Sequence, residues 1–156
     1  MRLLLLLAAL GACSSTIDAG SPDGGMPPAE SDAPAAKMVV IEGPAVLPHV
    51  QAFANAVCTA LDACMISTYD GHDPVAAQAI DILISDEYGQ LPSDNNAFGD
   101  SVAQFARDHY GEYAMMYVIF RQRIHFSSGD WRAMEDRGSI TQNHFDHVHV
   151  SFEASL

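Results

Sequence analysis

The stretch His144-Phe145-Asp146-His147-Val148-His149-Val150-Ser151, near the C-terminus, decides how the whole chain is interpreted. Three histidines and one aspartate fall within six positions of a segment that otherwise has the composition of a β-strand. Because successive side chains of a strand point to opposite faces, His147 and His149 share one face, and Val148, Val150 and Phe152 share a core-facing side. Two neutral imidazoles side by side suit a first-row metal ion, so we interpret the polar face as metal-binding or catalytic. A polar edge strand is the alternative.

A second segment, residues 68–84, offers partners for these histidines. A loop with glycine and proline carries His72, and the strand that follows alternates Ala79, Asp81 and Leu83 with Ile80, Ile82 and Ile84. Asp81 is therefore a carboxylate within an apolar strand, which is costly unless it is paired or binds a metal. A structural acid bonded to arginine or to backbone amides is the alternative.

Together, the loop histidine, the Ala-x-Asp strand and the later His-x-His strand resemble a superfamily of zinc peptidases. It includes D-alanyl-D-alanine carboxypeptidases, murein endopeptidases and the hedgehog signalling domain. The resemblance covers about residues 45–152, and residues 131–151 resemble a group of secreted bacterial domains of this fold. It implies that His72, Asp81 and His149 hold Zn²⁺ and leave its fourth position for water. Eight residues separate His72 from Asp81, a longer loop than is usual in that superfamily.

The resemblance also implies a base beside the metal. Relatives place it either three residues before the last histidine or at the first histidine of His-x-His, which correspond here to Asp146 and His147. Strand alternation puts His147 on the ligand face, so we rank it first, whereas Asp146 would need a turn or bulge to reach that face. His144 has a spacing also seen in murein endopeptidases, and we expect it to contact substrate or to support the ligands.

The N-terminal residues predict export. Residues 1–13 contain an arginine followed by a leucine-rich run too short to cross a bilayer as a lasting helix. They resemble a bacterial lipoprotein signal with Cys13 as the lipidated residue; an ordinary cleaved leader is the alternative. Residues 14–37 have almost no large apolar side chains and are predicted to form a flexible tether. Residues 38–156 are predicted to form one zinc-peptidase-like domain.

The remaining cysteines agree with an extracytoplasmic location. With Cys13 assigned to lipid, Cys58 and Cys64 form one pair, which in an oxidising compartment predicts a disulfide joining the end of a first helix to a first strand. A metal role is the weaker alternative, because neither a histidine nor a second pair of thiols lies nearby.

The rest of the pattern predicts an α+β fold. Apolar spacing indicates helices over residues 49–63 and 96–109, and a dense apolar run indicates a central strand over residues 114–124. An antiparallel sheet with helices packed mainly on one side is the simplest arrangement, and the resemblance implies the hedgehog/DD-peptidase-like version of it. Arg121 and Arg123 are predicted to share one face of the central strand, where their guanidinium groups could bind a substrate carboxylate.

Charge restricts the function classes. The net charge is -13 and no basic stripe is present, which argues against nucleic acid as a partner. We expect a lipid-anchored zinc-dependent hydrolase of peptide or amide bonds in the bacterial cell envelope. The resemblance and the location together suggest the peptide stems of peptidoglycan as its partner, with membrane contact through Cys13. A non-catalytic zinc- or ligand-binding module on the same fold is the alternative, and a metal-free adhesive domain is a third interpretation.

Overall fold

The structure is a computed structural model that describes residues 35–156. These residues form the helices α1 (Pro48–Leu61) and α2 (Ala97–Asp108), with a short 3-10 helix at Ala76–Gln78. The strands are β1 (Ile66–Ser67), β2 (Ala79–Leu83), β3 (Met115–Phe120), β4 (Arg123–His125), β5 (Arg132–Ala133) and β6 (His147–Phe152). They form one sheet in the order β1-β2-β6-β3-β4-β5, and every neighbouring pair is antiparallel. The α+β class with an antiparallel sheet is therefore confirmed.

The predicted leader, Cys13 and the tether as far as residue 34 lie outside the described residues. Neither helix of residues 35–156 is long and apolar enough to cross a membrane.

The core lies on one face of the sheet, as the alternation in β2 and β6 predicts. Ile80, Ile82, Val148 and Val150 have no exposed surface, and they belong to one apolar cluster with the buried faces of α1 and α2. Burying each such side chain contributes about 1.5–3 kcal/mol, so the packing strongly specifies the register of these strands. The opposite face of β2 and β6 is thereby left for polar side chains.

The predicted disulfide is present, and the first helix, predicted over residues 49–63, is found at Pro48–Leu61, two residues shorter at its end. Pro48 stands at its start, where the missing N–H costs nothing. The helix ends at Leu61 because Asp62 adopts a left-handed conformation (φ 60°) and donates its N–H to the Cys58 carbonyl. Cys58 and Cys64 are bonded with an S–S distance of 2.04 Å, and Cys64 stands just before β1.

The predicted central strand over residues 114–124 is wrong in its second half. The chain turns back at Arg121 and Gln122, both with positive φ (53° and 56°), so two antiparallel strands replace one. Such hairpin turns usually require glycine or asparagine, and their absence made the segment resemble a continuous strand. The backbone N–H groups of Arg121 and Gln122 donate to the carbonyls of His144 and Asn143, which stabilises the turn from outside the hairpin.

Candidate metal centre

Three buried donor atoms from separate parts of the chain converge on the polar face of the sheet. His72 Nε2 lies 3.1 Å from Asp81 Oδ1 and 3.0 Å from His149 Nδ1, and the last two atoms are 2.9 Å apart. Asp81 in β2 stands directly opposite His149 in β6, while His72 comes from the loop between β1 and the 3-10 helix. All three residues are at most 6% exposed. The predicted convergence of His72, Asp81 and His149 is confirmed.

Two hydroxyl groups determine which nitrogens of these histidines carry a proton. Thr68 Oγ1 donates its hydrogen to the Ala76 carbonyl at 2.9 Å, so it must accept from His72 Nδ1 at 3.0 Å. In the same way, Ser151 Oγ donates to a backbone carbonyl, that of Asp73, at 2.9 Å and accepts from His149 Nε2 at 2.8 Å. The nitrogens that face Asp81 are therefore the unprotonated ones.

Burial and the neighbouring charges act in opposite directions on His149 and on Asp81. Burial lowers the pKa of His149, against the opposing effect of the Asp81 carboxylate, and so favours the neutral imidazole. Burial raises the pKa of Asp81, whereas a proton on the facing nitrogen of His149 or His72, or on His147, lowers it well below its ordinary value. Two lone pairs and a carboxylate thus face one another without room for water between them, an arrangement that a bound cation would stabilise.

His147 lies next to this cluster and is held by Asp146. Its Nδ1 is 2.6 Å from Asp146 Oδ1, and its Nε2 is 3.5 Å from Asp81 Oδ1. Asp146 has no exposed surface, and its second oxygen accepts from the Gly89 N–H at 2.7 Å and the Thr141 hydroxyl at 2.5 Å. Burial raises the pKa of Asp146, but these three hydrogen bonds lower it below its ordinary value. Asp146 therefore contacts the cluster only through His147, whose Nε2 carries the free lone pair.

His144 completes a row of three imidazoles along the site. Its ring centroid lies 4.7 Å from that of His147 and 5.6 Å from that of His149. Burial, followed by the charges of the neighbouring histidines, lowers the pKa of His144 to about 3, so the ring is neutral at neutral pH. Its Nδ1 is buried without a hydrogen-bond partner among residues 35–156. The predicted contact of His144 with substrate fits this position and stays a prediction.

The cluster opens into a cavity of about 560 Å³. Three tyrosines line it: Tyr69 stacks on His72, Tyr117 stacks on His149 and Tyr88 meets His147 edge-on. Burial raises the pKa of Tyr88 and of Tyr117 to about 12, so both phenols stay protonated near neutral pH. His72, Asp81 and His149, the candidate metal ligands, therefore lie in an open recess lined largely by aromatic rings.

Neither arginine predicted to bind substrate lies in this cavity. Arg121, in the turn, pairs with Asp100 of α2 at 3.2 Å, and the Arg123 guanidinium lies 5.2 Å from the centroid of Trp131. The prediction that Arg121 and Arg123 share one strand face is wrong, because Arg121 lies in the hairpin turn and Arg123 lies in β4. Arg137 lines the cavity instead. It lies in an irregular loop between β5 and β6, where no periodicity could have indicated its direction.

The fold and the site define a class of protein: an α+β domain with a buried His-Asp-His set that could hold a metal ion and an Asp-His pair beside it. Comparison with protein families then gives the family. The chain belongs to the VldE C-terminal domain family, whose model matches residues 42–145. The match includes His72 and Asp81 and ends before β6, the strand that carries His147 and His149.

One relative extends the comparison to a fungal chain. An "Uncharacterized secreted protein" of Arthroderma benhamiae is 46% identical over 59 residues, which is 33% of this chain and 24% of the relative. The match thus spans about a quarter of that relative's length. The search of solved structures gave no match.

Proposed function

We propose that this protein is a zinc-dependent hydrolase of peptide or amide bonds. The observation that carries the proposal is the set of three acceptors, His72 Nε2, Asp81 Oδ1 and His149 Nδ1, which face one another at 2.9–3.1 Å with their lone pairs directed inward. A cation shared among these three atoms would remove the repulsion between their lone pairs.

The donor set fits zinc. Two imidazole nitrogens and one carboxylate oxygen are typical of catalytic zinc sites, which keep a fourth position open. Three donors about 2.0–2.2 Å from one ion at tetrahedral angles lie roughly 3.3–3.5 Å apart, so the observed separations need only a slight expansion. When bound, zinc supplies a Lewis acid and lowers the pKa of water toward neutrality.

The Asp146–His147 pair favours catalysis over a purely structural metal. With its Nδ1–H held by Asp146, the His147 ring presents an unprotonated Nε2 toward the cluster, where it can accept a proton from the attacking water. It can then return that proton to the leaving nitrogen. Asp146 stabilises the protonated ring but has no free oxygen directed at the cavity, so we assign it a positioning role.

Two features support an extracytoplasmic site of action. The Cys58–Cys64 disulfide requires an oxidising compartment, and the fungal relative is described as secreted. We further propose that the sheet and its one-sided helices form a hedgehog/DD-peptidase-like fold, that Cys13 carries the lipid anchor in a bacterial envelope, and that peptidoglycan stem peptides are the substrate. These three proposals rest on the resemblance and on the leader.

Metal analysis of the purified chain, combined with hydrolysis of purified cell-wall peptides followed by mass spectrometry, tests the proposal. We expect one zinc per chain and turnover that chelator abolishes and zinc restores. His149→Ala should lose the metal, whereas Ser101→Ala, an exposed hydroxyl of α2, should change nothing. Zinc binding without turnover would favour the binding module, and a chain that takes up no metal would favour the adhesive domain.

A further inference from the structure

Arg137 differs from the other arginines of residues 35–156 in that its guanidinium group has no partner. Arg121 pairs with Asp100, while Arg107 and Arg123 lie over the Trp131 ring and Arg132 lies over the Phe126 ring. No carboxylate of residues 35–156 forms an ion pair with Arg137. It is also the one lysine or arginine among the described residues that line the cavity of the metal centre.

The loop that presents Arg137 is held in place by a buried side chain. Asn143, only 6% exposed, accepts the Arg137 N–H at 2.8 Å and donates to Asp136 Oδ1 at 2.7 Å. The same Asp136 oxygen accepts the Gly138 N–H at 2.8 Å. Both neighbours of Arg137 in the chain are therefore fixed, and the backbone from which its side chain extends has a defined position.

Arg137 lines the same cavity as Tyr117, which stacks on His149, and His144, whose ring lies beside that of His147. The acids nearest the metal centre are already engaged: Asp146 with His147, and Asp73 with the Tyr117 hydroxyl at 2.6 Å. The Arg137 guanidinium group, which has no ion-pair partner among residues 35–156, is therefore available to a ligand that enters the cavity.

We propose that Arg137 binds a carboxylate of the substrate and thereby selects peptides that carry a free carboxylate close to the bond that is cleaved. This inference rests on the proposed hydrolase function and adds the chemistry of the substrate. The planar guanidinium group matches a carboxylate with two parallel hydrogen bonds, a geometry that lysine cannot reproduce. The carboxylate can be the C-terminus of a peptide or an acidic side chain.

Matched peptides test the inference on the full, zinc-loaded chain. One peptide has a free C-terminal carboxylate, the second is the same peptide with a C-terminal amide, and the third is amidated but has a glutamate side chain beside the scissile bond. Binding is measured by calorimetry and cleavage by mass spectrometry. Arg137→Gln and Arg137→Lys are compared with the control Arg132→Gln, which removes an exposed arginine at the sheet edge.

We expect Arg137→Gln to weaken binding and to lower kcat/KM about 10- to 100-fold for the peptides with a carboxylate, because a charge-assisted hydrogen bond contributes about 1.5–3 kcal/mol. The fully amidated peptide should be unaffected, Arg137→Lys should restore only part of the loss, and Arg132→Gln should match the wild type. Whether the first or the third peptide responds identifies the source of the carboxylate. Equal losses for all peptides, or none, would overturn the inference. Because binding is measured separately, a protein that binds the peptides in this pattern without cleaving them would refute the hydrolase while retaining the role of Arg137.

Discussion

Ser151→Ala should weaken metal binding although Ser151 is not a ligand. In the wild type its hydroxyl accepts the proton of His149 Nε2 and so leaves Nδ1 unprotonated toward Asp81. Without that acceptor, the proton can move to Nδ1 and be donated to Asp81 Oδ1, 2.9 Å away, and this hydrogen bond competes with the metal. Loss of such an orienting partner typically costs 10- to 100-fold in metal affinity, or about 1.4–2.7 kcal/mol.

Competition between the protein and a chromophoric chelator for zinc measures this effect directly. Thr68→Val provides an independent second case, because Thr68 fixes His72 in the same way and valine has nearly the same shape. Ser101→Ala is the matched control on an exposed hydroxyl, and urea unfolding of the metal-free proteins separates lost affinity from lost stability. Wild-type zinc affinity in both Ser151→Ala and Thr68→Val would refute the argument that the hydroxyl groups direct the lone pairs.

Three further predictions concern catalysis, packing and pH. His147→Ala should keep zinc but lose about 10²–10⁴-fold in turnover. Asp146→Asn should lose nearly as much, because the Gly89 N–H and the Thr141 hydroxyl would hold the oxygen of the new amide and turn its NH₂ group toward His147. High residual activity in either variant would exclude the pair as the base. Gly99→Ala should lower the free energy of unfolding, measured in urea, by about 1–3 kcal/mol, because an added Cβ would lie 2.3 Å from the buried Phe120 ring. The stabilisation that alanine usually gives in a helix is smaller, about 0.5–1 kcal/mol. A variant more stable than the wild type would contradict the packing. The pKa of His144 is about 3 in the folded, chelator-treated protein and 6.5 when unfolded, so the unfolded chain binds the proton first as the pH falls. The free energy of unfolding should therefore decrease below about pH 6 by up to about 1.4 kcal/mol per pH unit. His144→Asn should make this pH dependence weaker, and an unchanged pH profile would contradict the burial argument.

The parts of the fold that follow from local alternation were predictable. In β6 apolar residues alternate with polar ones, and in β2 Asp81 is the one polar residue of an apolar strand, so the sequence alone places Asp81 and His149 on the faces opposite Ile80, Ile82, Val148 and Val150. The register between the two strands follows from burial of their apolar sides, which brings the two ligands opposite each other. His72 stood out in its loop, but its role as a ligand came only from the resemblance, because no periodicity indicates the direction of a side chain in a loop.

Features stabilised by distant backbone contacts were not predictable in the same way. The turn at Arg121 and Gln122 has no residue typical of positive φ, and it is supported by carbonyls more than twenty positions later in the chain. The direction of Arg137 likewise depends on Asn143, a buried amide with no periodic signal. Both missed features depend on hydrogen bonds to Asn143 and His144, in the connection between β5 and β6, and not on a hydrophobic period.

The candidate metal centre and the apolar core lie on opposite faces of the same pair of strands, β2 and β6. A slip of one residue between β2 and β6 would turn Asp81 toward the apolar core and Ile80 toward the polar face, at a cost of several buried aliphatic side chains. The mutual repulsion of the three acceptors in the metal-free state is therefore opposed by the whole apolar face and not by contacts within the site. For this reason the ligand geometry can exist before metal arrives, and the hydroxyl groups that orient the two imidazoles should then tune the affinity for the metal.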